Sequence, residues 1–276
     1  MSVNQRALFP IDLSLNFGML SATTRKMFDR PDVEIVMLYT LEGPPSHSMR
    51  GMEVARAMAQ MEFLAQQQFD HAKVIRRTER GRAADCILEY AQRNAVDVIV
   101  MPAGGPESLG RNSLGHVTEA VLRGAPCDVW MEWMTGSVEC ASHICCTVEL
   151  DGDDEPVLSR AAEIAGDLGA PLTIIHAVKI DPPMAMWWDT DAVDQDLRLA
   201  RLRVDELRQR LAPTARTHVE AGRPDTVVSR VLHRHNAGLL VSASQGPTLV
   251  AAAMACPVLR MSTAFALPAK VLTRTA

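Results

Sequence analysis

The chain has 276 residues, 47% of them apolar, 22% charged and only 4% aromatic, with a net charge of −5. Such a length suffices for two domains that each bury a core, and the composition is globular rather than disordered. The acidic balance and the lack of a long basic run exclude the electrostatic footprint of a nucleic-acid binder, and no apolar stretch approaches the length of a bilayer span.

The opening, MSVNQRALFPID, lacks the charged start, apolar run and cleavage site of a secretory signal, so a cytoplasmic protein is expected. Its ALFPIDLS stretch reads as a short apolar strand ending in Asp12. Ser14 is then expected to cap a helix with a buried stripe of Phe17, Leu20, Thr24, Met27 and Phe28. A strand follows over 33–41, and after it a long helix burying Val54, Ala57, Met58, Met61, Leu64 and Gln68. Residues 81–101, GRAADCILEYAQRNAVDVIVM, combine a Gly-Arg start, a helix-period set (Ile87, Leu88, Ala91) and a buried strand. The strand DVWMEW, 128–133, closes this half, with Trp130 and Trp133 at a sheet edge.

The same series then recurs. CCTVELDG around Glu149 parallels ALFPIDLS at an offset of 137. Asp154 and Pro156 open a helix carrying Val157, Ala161, Ile164, Ala165 and Leu168, stopped by Gly169 and Pro171. The strand over 170–178 precedes a long helix with Val193, Leu197, Ala200, Val204, Leu207 and Leu211 on one stripe. Residues 222–242, GRPDTVVSRVLHRHNAGLLVS, repeat 81–101 at an offset of 141, with Val228, Val231 and Leu232 as the helical set, and PVLRM at 257–261 closes the copy. Each half is expected to run β-α-β-α-β-α-β-α-β, which demands right-handed crossovers and a parallel sheet covered on both faces. The expected division is 1–138 and 139–276, near the stretch TGSVECAS.

One loop carries candidate chemistry. After DVIVM come MPAGG, PESLGRNSL and then GHVTEAVLR, with glycines at 104, 105, 110 and 115. If 116–123 is a helix, the free amides of His116, Val117 and Thr118 form an anion site aided by the helix dipole. A plain loop opening a helix accounts for the same residues.

These features resemble a tandem universal stress protein over essentially the full length. That family's nucleotide loop, Gly-x2-Gly-x9-Gly-(Ser/Thr), lies between the fourth strand and fourth helix. Here Gly105 and Gly115 have the nine-residue spacing, while Pro102 stands in place of the first glycine and His116 in place of the Ser/Thr. Asp12 matches the acidic residue that ends strand one. The resemblance implies two Rossmann-like, five-stranded α/β domains of strand order 3-2-1-4-5, packed as a pseudo-dimer within one chain. It implies that Pro10, Ile11, Asp12 and Thr40 surround the base and ribose of an adenine nucleotide such as ATP, with Mg²⁺. Met101, Pro102 and Gly105 would flank the ligand, and Gly115, His116, Val117 and Thr118 would hold its phosphates. Pro102 removes an N–H, and Arg111 could supply a guanidinium–phosphate contact instead.

In the second copy SASQG aligns with the start of that loop. Gly105 to Gly246 spans 141 positions but Cys127 to Cys256 only 129, so twelve residues are missing, the phosphate loop among them. ATP binding in the family manner is not expected there.

Other conspicuous residues have ordinary readings. The cysteines, Cys86, Cys127, Cys140, Cys145, Cys146 and Cys256, form no C-x-x-C pair and have no matching histidines, so reduced, mostly buried thiols are expected. His233 and His235 are two apart and face different ways on a solvated helix end. His176 is expected half-buried and hydrogen-bonded. Trp187 and Trp188 either pack on the long helix, cover the second cleft or meet a partner. Asp151, Asp153, Asp154 and Glu155 lack EF-hand spacing and suit a helix N-terminus. No Ser-His-Asp order, carboxylate pair or ligand cluster proposes a reaction. The leading expectation is a stress-associated regulatory protein binding an adenine nucleotide in its first copy; the alternative is a scaffold or signalling module acting through protein contacts. Homodimerisation through edge strands is a further expectation.

Overall fold

Apolar runs such as VEIVMLYTL cannot leave either face of a strand in water, and helices on both faces of one sheet satisfy them. The computed structural model describes residues 5–12, 20–43, 50–102, 115–132, 141–150, 154–179, 190–243 and 257–261. In chain order the first copy comprises β1 (Gln5–Ile11), α1 (Ala22–Phe28), β2 (Val33–Leu41), α2 (Arg50–Gln68), β3 (Lys73–Arg80), α3 (Ala83–Arg93), β4 (Val98–Pro102), α4 (His116–Gly124) and β5 (Asp128–Glu132). The second comprises β6 (Ile144–Thr147), α5 (Asp154–Leu168), β7 (Leu172–Val178), α6 (Thr190–Leu211), β8 (Arg216–Ala221), α7 (Pro224–His235), β9 (Leu239–Ser242) and β10 (Val258–Arg260).

The sheet order is β3-β2-β1-β4-β5-β10-β9-β6-β7-β8. Each copy has the expected 3-2-1-4-5 order, and all pairings within a copy are parallel. The copies join where β5 and β10 pair antiparallel, Trp130 opposite Leu259 and Val129 opposite Arg260. The strand expected at an edge is therefore interior. The outer edges are β3 and β8, and β3 carries Lys73, Arg76, Arg77, Glu79 and Arg80, charges that discourage pairing with another strand.

Two cores cover the two faces. One gathers Met27 and Phe28 of α1, Met61 and Leu64 of α2, Val157 and Leu158 of α5 and Val204 of α6. The other gathers Ile87 of α3, Val121 of α4 and Val227 and Val231 of α7. Cys146 points into the first and Cys145 into the second, as alternation along a strand requires. Burial pushes the Cys127 and Cys145 thiols up to about 12, which leaves them protonated and inert at neutral pH.

One helix start differs from expectation. The cap of α1 is Ser21, whose Oγ accepts from the Thr24 amide at 3.2 Å, and Ser14 lies outside the described residues. Leu20 precedes this helix and is buried, its amide donating to Gln68 Oε1 of α2 at 3.1 Å. A bond between the copies fixes α1 as well: the Ala141 amide donates to Thr23 Oγ1 at 2.7 Å.

Candidate functional site

In a doubly wound sheet the crevice opens where strand order reverses, beyond the carboxyl ends of the strands. In the first copy that point lies between β1 and β4. It brings together the ends of β1 (Pro10 half-buried, Ile11 buried, then exposed Asp12), β2 (half-buried Tyr39 and Thr40) and β4 (buried Met101, half-buried Pro102). These strand-end residues adjoin as expected.

The start of α4 meets the same crevice. Gly115 is its N-cap, with φ −62° and ψ 150°. The first helical bond runs from Glu119 N to Gly115 O at 3.0 Å, which leaves the amides of His116, Val117 and Thr118 outside the i→i−4 ladder. Thr118 is buried, and its hydroxyl donates to the Pro102 carbonyl at 3.1 Å, tying the helix start to the end of β4. His116 is exposed and Val117 half-buried against the second core. A side chain built at Gly115 would meet nothing within 4 Å among the described residues. Gly104, Gly105, Gly110 and Arg111 lie outside the described residues.

The crevice is electrostatically two-sided. Burial raises the Tyr39 phenol, Glu53 and Asp12 raise it further, and Arg56 opposes them. Negative charge thus surrounds the β1 and β2 ends, whereas the start of α4 offers the positive end of a helix dipole. Such a site suits a ligand with hydroxyls at one end and anionic oxygens at the other.

Glu132, paired with Pro102 across β4 and β5, was not singled out in the sequence. It is buried, and Oε1 accepts from the Ser21 amide at 2.5 Å while Oε2 has no partner among the described residues. Burial raises its carboxyl above the usual range, with Ser21 and Thr24 opposing. The signal was an acid closing the apolar run VWM.

The second copy is built differently at the corresponding point. Thr147 Oγ1 donates to Ser242 Oγ at 2.7 Å, bridging the ends of β6 and β9 across its switch point. The Glu149 and Leu150 amides donate to the two oxygens of Asp154 at 2.8 and 2.7 Å, so this acid serves a helix start, as expected. His176 is half-buried with Nδ1 2.8 Å from the Val148 carbonyl. Trp187, Trp188, Asp151 and Asp153 lie outside the described residues, as does the shortened segment 244–256. No group of three or more metal-ligating side chains occurs among the described residues. No helix among them is long and apolar enough to cross a membrane.

At the opposite pole one expectation is corrected. His235 is not on a solvated helix end: it is half-buried and stacks on buried His143, ring centroids 4.5 Å apart and planes 15° apart, while His233 is exposed. The register places His143 where the first copy has Arg6, which is held by Glu34 at 2.8 Å. Burial lowers the His143 pKa, helped by His235 and Arg216; burial also lowers that of His235, helped by Arg216, Arg234 and His218. An unfolded histidine titrates near about 6.5. Because both folded values lie lower, the unfolded chain binds more protons, and stability should fall as pH drops from about 6.5 toward those values. Glu34 is lowered by Lys73 and Arg6 against burial, so its contribution fades below the ordinary carboxylate range, as pH falls toward its depressed pKa. The raised Glu132 carboxyl acts in the opposite sense but is common to both chains, so the urea midpoint of His235→Asn, matching Asn94 of the first copy, should fall less between pH 7.5 and pH 5.5 than that of the wild type.

Comparison with known proteins agrees with this fold. The universal stress protein family model matches residues 5–131 and again 141–259. A universal stress protein from Archaeoglobus fulgidus DSM 4304 is 19% identical, with a TM-score of 0.64, over 93% of this chain and 96% of that one. A functionally unknown protein from Pseudomonas aeruginosa PAO1 is 17% identical, with a TM-score of 0.61, over 93% and 92%. No curated protein matches the chain.

Proposed function

Since the chain belongs to the universal stress protein family, with one domain of it in each half, we propose that it is a stress-associated regulatory protein whose first copy alone binds an adenine nucleotide. The copies divide at 1–138 and 139–276. The observation that supports this reading is the start of α4: three amides outside the helical ladder, a Gly115 that no described residue crowds and a strand end tied to the helix by Thr118. In the second copy the Thr147–Ser242 hydrogen bond spans the equivalent point and the loop is twelve residues shorter.

Pro10, Ile11, Asp12 and Thr40 border the base and ribose, Asp12 accepting from ribose hydroxyls. Met101, Pro102 and Gly105 flank the ligand, the amides of Gly115, His116, Val117 and Thr118 donate to phosphate oxygens, and Arg111 offers a bidentate contact. Mg²⁺ would neutralise phosphate charge when it accompanies ATP. The proposed role is binding rather than turnover. Association of two chains through edge strands would use β8, since the charges of β3 discourage pairing.

Gly115→Val tests the assignment. The backbone at Gly115 suits any residue and no described residue crowds it, so the fold should persist. A branched side chain would stand where phosphate must approach, and ATP affinity measured by calorimetry should fall at least tenfold, about 1.4 kcal/mol. Unchanged affinity would remove the helix start from the site. A wild-type chain that gives no heat with ATP would instead favour the scaffold module.

A further inference from the structure

The two copies differ most along one row of side chains. At the carboxyl ends of β1, β4 and β5, the first copy presents Pro10, Met101 and Met131. The equivalent positions on β6, β9 and β10 are Thr147, Ser242 and Arg260, as the paired registers show. Alternation puts this row on the face of α4 and α7: Val258 lies in that core and Leu259 in the opposite one, so Arg260 returns to the first. Three apolar positions have become polar without leaving the interior, for Thr147, Ser242 and Arg260 are 9%, 1% and 4% exposed.

Arg260 is the anomaly. Its Nε and Nη1 are buried without a hydrogen-bond partner among the described residues. Burial lowers its pKa, while Asp128, at the seam with the first copy, acts through space to favour the charge. A buried guanidinium with idle donors costs several kcal/mol unless something meets it, and a fork of N–H groups is the natural match for an oxyanion. The location is also where parallel sheets bind ligands, beyond the ends of β9 and β10 and beside the switch point. It does not depend on the phosphate loop that the second copy lacks.

We propose that Arg260 is the recognition group of a second binding site, at the seam of the two copies, for a small oxyanion such as the phosphate or carboxylate of a metabolite. Its Nε and Nη1 donate to two oxygens of the anion, and Ser242 lies alongside on the neighbouring strand. This site is separate from the first-copy crevice in position and in chemistry.

Thermal unfolding of the full chain tests it, at constant ionic strength with chloride replaced by inorganic phosphate or by acetate. The melting temperature should rise by about 2–4 °C in one of them, and which one tells phosphate from carboxylate. The rise should persist in a Gly115→Val background, so it cannot come from the first-copy helix start. Arg260→Met installs the first copy's residue at this register. It should melt at or above the wild-type temperature in chloride and lose the anion response. Arg260→Lys, a point donor without the fork, should keep a weaker one. An Arg260→Met chain that melts lower in chloride or fails to fold would assign the guanidinium a structural role and overturn the site. So would an Arg260→Met chain that retains the wild-type response, or a wild-type chain indifferent to both anions.

Discussion

Replacing Gly238 by alanine is expected to cost about 3 kcal/mol of folding stability or more. A Cβ built there lies 2.3 Å from the Ala141 Cα and 2.6 Å from its Cβ, and a backbone carbon cannot step aside as a flexible side chain can. The close approach is functional for the fold: the Gly238 amide donates to the His143 carbonyl at 2.9 Å, holding the turn after α7 against the start of β6. The first copy has Asp97 at this position, makes the same backbone bond from the Asp97 amide to the Arg6 carbonyl at 2.9 Å, and adds its carboxylate, which accepts from the Arg6 amide at 2.7 Å. Asp97→Ala should consequently cost only about 1 kcal/mol, one hydrogen bond. Urea denaturation of both variants checks the pair; similar costs would mean that the copies are not packed differently here.

Trp130→Ala should cost about 3–5 kcal/mol, the range for removing a large aromatic from a core. Trp130 is 1% exposed on β5, opposite Leu259 of β10, so the cavity would open at the seam itself. The indole N–H donates to Thr24 Oγ1 at 2.9 Å, and the ring meets Phe28 edge-on with centroids 5.3 Å apart. Truncation therefore removes an aromatic contact and a partner of a buried hydroxyl together with the area. A loss under about 1 kcal/mol in denaturant titration would contradict a seam packed around this residue.

Much of the fold was legible because its signals are local. The run 33–41 is buried over most of its length and corresponds residue for residue to β2, and the stripes on α2, α5 and α6 fall where periodicity puts them. The third strand of each copy gave no such signal. KVIRRTER and RTHVEA lie at the outer edges of the sheet, where charged side chains reach water and mask the alternation. Ser14 and Ser21 both precede apolar stripes, and only tertiary placement selects Ser21, through its amide bond to Glu132. The stacking of His235 on His143 depends on a strand start and a helix end far apart in sequence, which spacing along one helix cannot reveal. Glu132 and Arg260 each end a short apolar run with a charge, a pattern too brief to mark either as a buried ion. In the crevice, the helix start pointed to Gly115 and Thr118, and the family resemblance to Asp12 and Pro102. The Thr118 hydroxyl turned out to serve the Pro102 carbonyl rather than to stand free.

Two copies of one fold share a continuous sheet, and the proposed function gives a nucleotide to the first alone. Calorimetric titration of the intact chain with MgATP tests this asymmetry most directly. The expected result is one nucleotide per chain, abolished by Gly115→Val and unaffected by Arg260→Met. Two nucleotides per chain, or one that survives Gly115→Val, would contradict it.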